Sequence, residues 1–340
     1  MNRITLFSLC CVAFVAGTFG NRHVLVIGID GVRPDALLAA HTPHLDGLMA
    51  NGAWSIDAFA GGVLGTAGQQ QTYSGPGWSS ILTGVWRDRH GVNENSFTGA
   101  DFENAPHFFL RIRESHPHAI LASVVTWEPI HTYILAGADF ALQKEGEDNW
   151  AVGETRRILL EEEPDVLFTY LGDPDTTGHG YGYSLEVPEY ISSLEKADAQ
   201  VGEMLDGLRA RPNYEEEEWL VIVTTDHGGI GTGHGGQSED ERTIFFIAAG
   251  GENAPGIRSP GPGHNSVPPT LFRHLGVAVN PDWGWDPPFP SSPPHPSVVP
   301  APANNDWTRS WWNERHRQKV TWARDTTPHT PLVGDPTPPF

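Results

Sequence analysis

Six residues in this chain have the types and spacing to hold divalent cations: Asp30, Asp175, His179, Asp226, His227 and His234. Carboxylate oxygen and imidazole nitrogen together suit hard-to-borderline ions such as Zn2+, and six such groups suffice for two ions. No thiolate competes with them, because the only two cysteines, Cys10 and Cys11, lie near the start of the chain. Taken singly, each residue has a plainer reading, since Asp after a strand is commonly a turn or cap and His among glycines is a loop residue. Their conjunction points to a site. Gly178, Gly180, Gly228, Gly229, Gly233 and Gly235 surround them, letting the backbone turn sharply and approach a ligand closely.

A seventh residue has two readings. Residues 72–84 read TYSGPGWSSILTG. Ser74 is a suitable helix N-cap, with Pro76 fitting the first turn. The same hydroxyl, set at a helix N-terminus beside a cation, would be a nucleophile.

The elements that must position these residues are legible as short apolar, β-branched runs at 23–29 (HVLVIGI), 119–125 (AILASVV), 165–171 (DVLFTYL), 219–225 (WLVIVTT) and 243–249 (TIFFIAA). Segments of helical character, such as YISSLEKADAQVGEMLDGLRA, lie between them. Near-continuous apolar strands alternating with helices predict an α/β fold, a mostly parallel sheet sandwiched by helices. Asp30, Asp175, Asp226 and their neighbours each follow a strand, and ligands of open α/β sheets bind beyond the carboxyl ends of the strands. Gly231, Gly233 and Gly236 match G-x-G-x-x-G, but the acidic QSEDER and another strand follow rather than a helix. A dinucleotide fingerprint is therefore not expected.

The 340 residues allow one large domain or two small ones. A formal charge of −21 argues against nucleic acid or an anionic membrane as a general surface partner, because both require clustered Lys and Arg. Residues 1–20, MNRITLFSLCCVAFVAGTFG, read as a cleavable signal peptide and predict a secreted or periplasmic chain with no stable membrane anchor. The small pair that precedes a lipoprotein cysteine is missing before Cys10 and Cys11. The last 60 residues hold 14 of the 29 prolines and 6 of the 12 tryptophans. A catalytic domain is accordingly expected over 21–285, followed by a Pro/Trp-rich, partly disordered or surface-wrapping tail over 286–340.

GIDGVRPD, SGPGWSSILTGVWRDRHGV, PDTTGHGYG and TTDHGG, in this order, resemble the alkaline phosphatase superfamily, and within it the type I phosphodiesterase/nucleotide pyrophosphatase branch. The likeness runs over roughly residues 23 to 280. It implies one zinc held by Asp175, His179 and His234, and a second held by Asp30, Asp226 and His227 with Ser74 as a further ligand. It implies hydrolysis of a small phosphoester through a phosphoseryl intermediate on Ser74. Two departures bear on substrate: many members have Thr as nucleophile, and the position three residues on, where an oxygen-binding Asn is expected, is Gly77. Asn95 in HGVNENSF could replace or support that contact or be a loop residue, and Trp127 in VVTWEP could lie near the leaving group or at the core edge. Three alternatives stand beside the diesterase reading. One is a phosphomonoesterase of the same fold; another is a sulfatase, which needs Arg where this chain has Trp78; the third is a metal-stabilised binding protein without turnover.

Overall fold

The computed structural model describes residues 19–290 apart from 252, 254, 255, 259 and 260. One sheet organises the chain. Its strands are β1 (Arg22–Ile29), β2 (Gly52–Phe59), β3 (Leu121–Val125), β4 (Phe140–Gln143), β5 (Val166–Leu171), β6 (Glu218–Thr224), β7 (Thr243–Gly250) and β8 (Ile257–Arg258). They lie side by side in the order β4-β3-β5-β1-β6-β7-β2-β8. Neighbours are parallel except where β7 meets β6 and β2. The fold is the α/β sandwich that the strand pattern predicts.

The sheet separates two apolar cores. Val24 and Val26 of β1 join Ile222, Phe246 and the helices Ser74–Thr83, Phe108–Ser115 and Val267–Leu275 on one face. Leu25, Ile27 and Ile29 join Val221, Val223 and the helices Pro34–Ala39, Pro43–Asn51, Asp148–Glu161 and Pro188–Arg209 on the other. Alternate residues of one strand are thus buried on opposite sides, which is why β1 reads as a continuous apolar run. β7 is reversed because residues 225–242 return from β6 without the crossover a parallel partner requires. That return carries His227 and His234 at the carboxyl end of β6. It closes with one helical turn, Glu239–Arg242, started by a capping box between Ser238 and Glu241. The expectation that no helix follows the glycine triplet is corrected to that single turn, too short to present a helix N-terminus to a dinucleotide.

Packing continues past the compositional shift at residue 286. Phe289 is 2% exposed and packs on Phe246, Arg273 donates to the carbonyls of Phe289 and Pro290, and the Trp285 indole donates to the Thr83 carbonyl at 2.7 Å. At the other end Phe19 is buried beside His116, with ring centroids 4.4 Å apart. Residues 1–18 and 291–340, which hold most of the expected signal peptide and tail, lie outside the described residues.

Candidate active site

The six predicted ligands converge at the carboxyl ends of β1, β5 and β6 as two triads. In each, one ligand atom per residue lies within 4.8 Å of the others. Asp30, Asp226 and His227 form the inner triad and are almost wholly buried. Asp175, His179 and His234 form the outer one, where the His179 side chain is 48% exposed. The His227 and His234 rings stack at 3.8 Å, so the triads adjoin.

Hydrogen bonds decide which atoms face the centre of the inner triad. Asp30 Oδ2 accepts from Trp78 Nε1 at 3.0 Å and from the Tyr170 hydroxyl at 2.7 Å, while Asp30 Oδ1 is left without a partner. Asp226 Oδ1 accepts from the Gly31 amide at 3.3 Å, and Asp226 Oδ2 is likewise orphaned. His227 Nδ1 pairs with the Gly228 carbonyl at 2.7 Å, so Nδ1 carries the proton and the Nε2 lone pair is free. Around that Nε2 stand Asp226 Oδ2 at 3.2 Å, Asp30 Oδ1 at 3.3 Å and Ser74 Oγ at 3.3 Å. Four acceptor-capable atoms, two of them orphaned carboxylate oxygens, cluster in a buried pocket. A cation would satisfy them together, because leaving buried acceptors unpaired is costly.

The outer triad makes the same case with histidines. His179 Nδ1 pairs with the Thr232 carbonyl at 3.0 Å and His234 Nδ1 with the Thr72 carbonyl at 2.8 Å. Their Nε2 atoms then face each other at 3.1 Å as two lone pairs, which a cation between them would reconcile. Asp175 completes the set, 3.5 Å from His179 Nε2 and 3.6 Å from His234 Nε2. Burial, with the Asp175 charge nearby, pushes the Asp30 carboxyl up to about 6. Burial and the charges of Asp30 and Asp175 push Asp226 well above the usual carboxylate range. Burial also lowers His234 to about 4, keeping its imidazole neutral as a metal ligand must be.

Position decides the cap reading of Ser74. It is the first residue of the helix Ser74–Thr83; the cap is Tyr73, and no side chain caps there. The simple cap reading is therefore corrected: Ser74 Oγ points at His227, not at its own helix. Asn95 supplies what a capping side chain would, its Oδ1 accepting from the Gly75 amide at 2.7 Å. Asn95 is exposed beside Ser74. Gly77 cannot bear the oxygen-binding side chain expected there, since a Cβ would lie 2.8 Å from Asp226 Cβ. Trp127 follows β3 half-buried, stacked on Tyr170 at 6.4 Å and near Phe97 at 6.2 Å. It packs on the core edge, and the Tyr170 ring lies between it and Asp30.

Sequence reasoning missed Tyr170 and Tyr183 and noted Trp78 only for not being Arg. Tyr170 sits inside an apolar strand and reads as core. The Tyr183 hydroxyl donates to Asp175 Oδ1 at 2.5 Å. The available signal was glycine: a Cβ at Gly28 would lie 2.3 Å from the Trp78 ring, and one at Gly31, where φ is +69°, 2.7 Å from Asp175 Oδ1. The first strand's G-x-D-G thus makes room for both carboxylate environments.

Residues 24–130 and 122–236 match the family described as Type I phosphodiesterase / nucleotide pyrophosphatase, a span that holds every residue named above as ligand, nucleophile or substrate contact. Mouse ectonucleotide pyrophosphatase/phosphodiesterase family member 7 is 24% identical over 234 residues, 61% of this chain and 50% of that protein. The chain spans about half the length of the curated relatives it matches. Among solved structures, murine ectonucleotide pyrophosphatase/phosphodiesterase 5 aligns with a TM-score of 0.58 at 16% identity, over 76% of this chain and 96% of that one; an inactive variant of it is known in complex with AMP. A putative sulfatase from Bacteroides thetaiotaomicron aligns with a TM-score of 0.61 at 15% identity, over 81% and 76% of the two chains. The structural likenesses establish the shared fold, and the matched sequence spans establish the lineage: the chain belongs to the type I phosphodiesterase / nucleotide pyrophosphatase family.

Proposed function

We propose that this protein is a phosphoric diester hydrolase with a zinc ion in each triad and a phosphoseryl intermediate on Ser74. The observation that carries the reading is the convergence of Asp30 Oδ1, Asp226 Oδ2 and Ser74 Oγ on His227 Nε2, all within 3.3 Å. Bound zinc would supply positive charge to the transferring phosphoryl group and ease ionisation of the serine hydroxyl and of water. The chain's own part begins with Ser74, held at a helix start whose dipole favours the alkoxide. Its Oγ bonds to phosphorus as the ester P–O bond breaks and the leaving group departs. Water then attacks the same phosphorus and frees Ser74. Asn95 has spent its oxygen on the Gly75 amide, leaving its two N–H donors for a phosphoryl oxygen. Trp127 offers a flat apolar wall to the leaving group.

Charge favours a diester over a monoester. Two zinc ions would more than offset the three carboxylates and leave a net charge of about +1, which a monoanionic diester matches, and among the described residues no lysine or arginine bonds to Ser74 or to any of the six ligands to balance the second charge of a monoester. Trp78 donates to Asp30 in the place where a sulfatase would need Arg, which weighs against sulfate esters. The apolar N-terminal segment supports a secreted enzyme. A panel of chromogenic phosphodiester, phosphomonoester and sulfate ester substrates, assayed with and without a chelator, tests the reading. The diester should be turned over fastest, about two Zn per chain should be found, and chelation should abolish turnover. A metal-free, fully active preparation would overturn it; preference for the monoester would correct the substrate class alone.

A further inference from the structure

Three neutral donors, none of them a predicted ligand, hold the carboxylates of the two triads, and they divide between them. Trp78 Nε1 and the Tyr170 hydroxyl both donate to Asp30 Oδ2, the oxygen turned away from His227, and so leave Asp30 Oδ1 facing it at 3.3 Å. The Tyr183 hydroxyl donates to Asp175 Oδ1, the oxygen that stands 3.6 Å from His234 Nε2, and Asp175 Oδ2 faces His179 Nε2 at 3.5 Å, so the tyrosine holds the carboxylate with one oxygen toward each histidine. The fold makes room for Tyr183 at two points: a Cβ at Gly178 would lie 2.3 Å from its ring, and one at Gly229 2.4 Å. Its ring meets His179 edge-on at 5.6 Å and His234 at 6.0 Å. Its backbone is held as well, with the amide donating to the Gly231 carbonyl at 2.7 Å and the carbonyl accepting from Arg33 at 3.1 Å. Tyr183 therefore touches every member of the outer triad, and among the described residues no hydrogen bond joins it to the inner one.

The geometry points to Tyr183 as the positioning residue of the outer cation site and to Tyr170 with Trp78 as those of the inner site, each holding its carboxylate in the orientation it presents to the triad, so that the two sites can be weakened one at a time. The inference rests on the two-cation reading above. Hydrogen bonds of this kind orient metal-binding side chains, and losing one typically costs about 10- to 100-fold in metal affinity. Replacing Tyr by Phe removes the hydroxyl and keeps the ring, which separates donation from packing.

The test is competition of the full-length chain against a chromogenic chelator for zinc, resolving two binding steps. Asp175→Ala and Asp226→Ala assign the steps to the outer and inner sites. Tyr183→Phe should weaken the outer step about 10- to 100-fold and leave the inner step within about twofold; Tyr170→Phe should do the reverse. A wild-type chain that takes up no zinc would overturn the two-cation reading and this inference together. A wild-type chain that binds two ions, with Tyr183→Phe and Tyr170→Phe each unchanged or each weakening both steps equally, would overturn only the separate positioning roles. If Tyr183→Phe does not fold, Tyr183→Met removes the same hydroxyl with an adaptable apolar side chain and carries the same test on the outer step, with the same outcomes.

Discussion

At the scale of single residues, the site consists of acceptors held close together at a cost that only positive charge relieves. Ser74 is the reacting group, so Ser74→Ala should keep its zinc and lose about a thousandfold or more in turnover, roughly 4 kcal/mol of transition-state stabilisation. Ser74→Thr retains a hydroxyl and should keep measurable activity; intact peptide mass should show plain serine at position 74. Asp30 makes a second, independent prediction. Its carboxyl is raised from 3.8 to about 6 by burial, so the metal-free fold prefers it protonated. That contribution is full below about pH 4 and lost as pH rises through about 6, a swing of about 3 kcal/mol at most. Other buried groups titrate over the same range, His90, His107, His234 and His264 among them with the opposite sign, so the measurement is a difference: in urea melts of chelator-treated protein, wild type should lose stability relative to Asp30→Asn between these pH values. A difference between the two that does not change over this range would show that the carboxylate is not held as described.

At the scale of elements, the helix Ser74–Thr83 is packed against the turn after β6 so closely that position 77 admits no side chain. Alanine in a helix interior is ordinarily favoured over glycine by about 0.5–1 kcal/mol. Here the added Cβ would meet Asp226 Cβ at 2.8 Å, and such overpacking costs about 1–3 kcal/mol. The clash wins. Gly77→Ala should melt earlier and bind zinc more weakly at the inner triad, as read by metal content after dialysis; an unchanged or raised melting temperature with full zinc content would refute this packing. The strands show how much of such architecture was legible. All five apolar runs became strands, because burial on both faces leaves no polar alternation to hide them. β2 escaped notice because Ser55 and Asp57 interrupt it, and its register to β7 shifts between Ser55 and Ala58. β4 escaped because it is four residues long with alternating exposure at the sheet edge.

At the scale of the whole molecule, the C-terminal stretch up to Pro290 is part of the body rather than an appendage. Phe289→Ala should destabilise by about 3–5 kcal/mol in denaturant melts, as truncation of a buried aromatic does. Equal stability of Phe289→Ala and wild type would mean that the packing ends earlier. The buried Phe19 sets a limit at the other end. Exported protein should begin between about Thr18 and Arg22, and the contact of Phe19 with His116 favours the start that retains it. N-terminal sequencing checks this, and finding Met1 would overturn the secretion reading.

What the sequence by itself determined was the chemistry on offer and its approximate address. Six Asp and His ligands without a competing thiol, a serine ahead of a helix, and strands whose carboxyl ends precede them all followed from residue type and order. Tertiary structure alone decided orientation. Which oxygen of Asp30 faces His227 depends on Trp78 and Tyr170, 48 and 140 residues away along the chain. Whether Asn95 serves the nucleophile depends on an amide 20 residues before it. Such roles arise from contacts across the sheet, where an apolar strand tyrosine and a helix tryptophan look like core until their one polar atom finds a carboxylate.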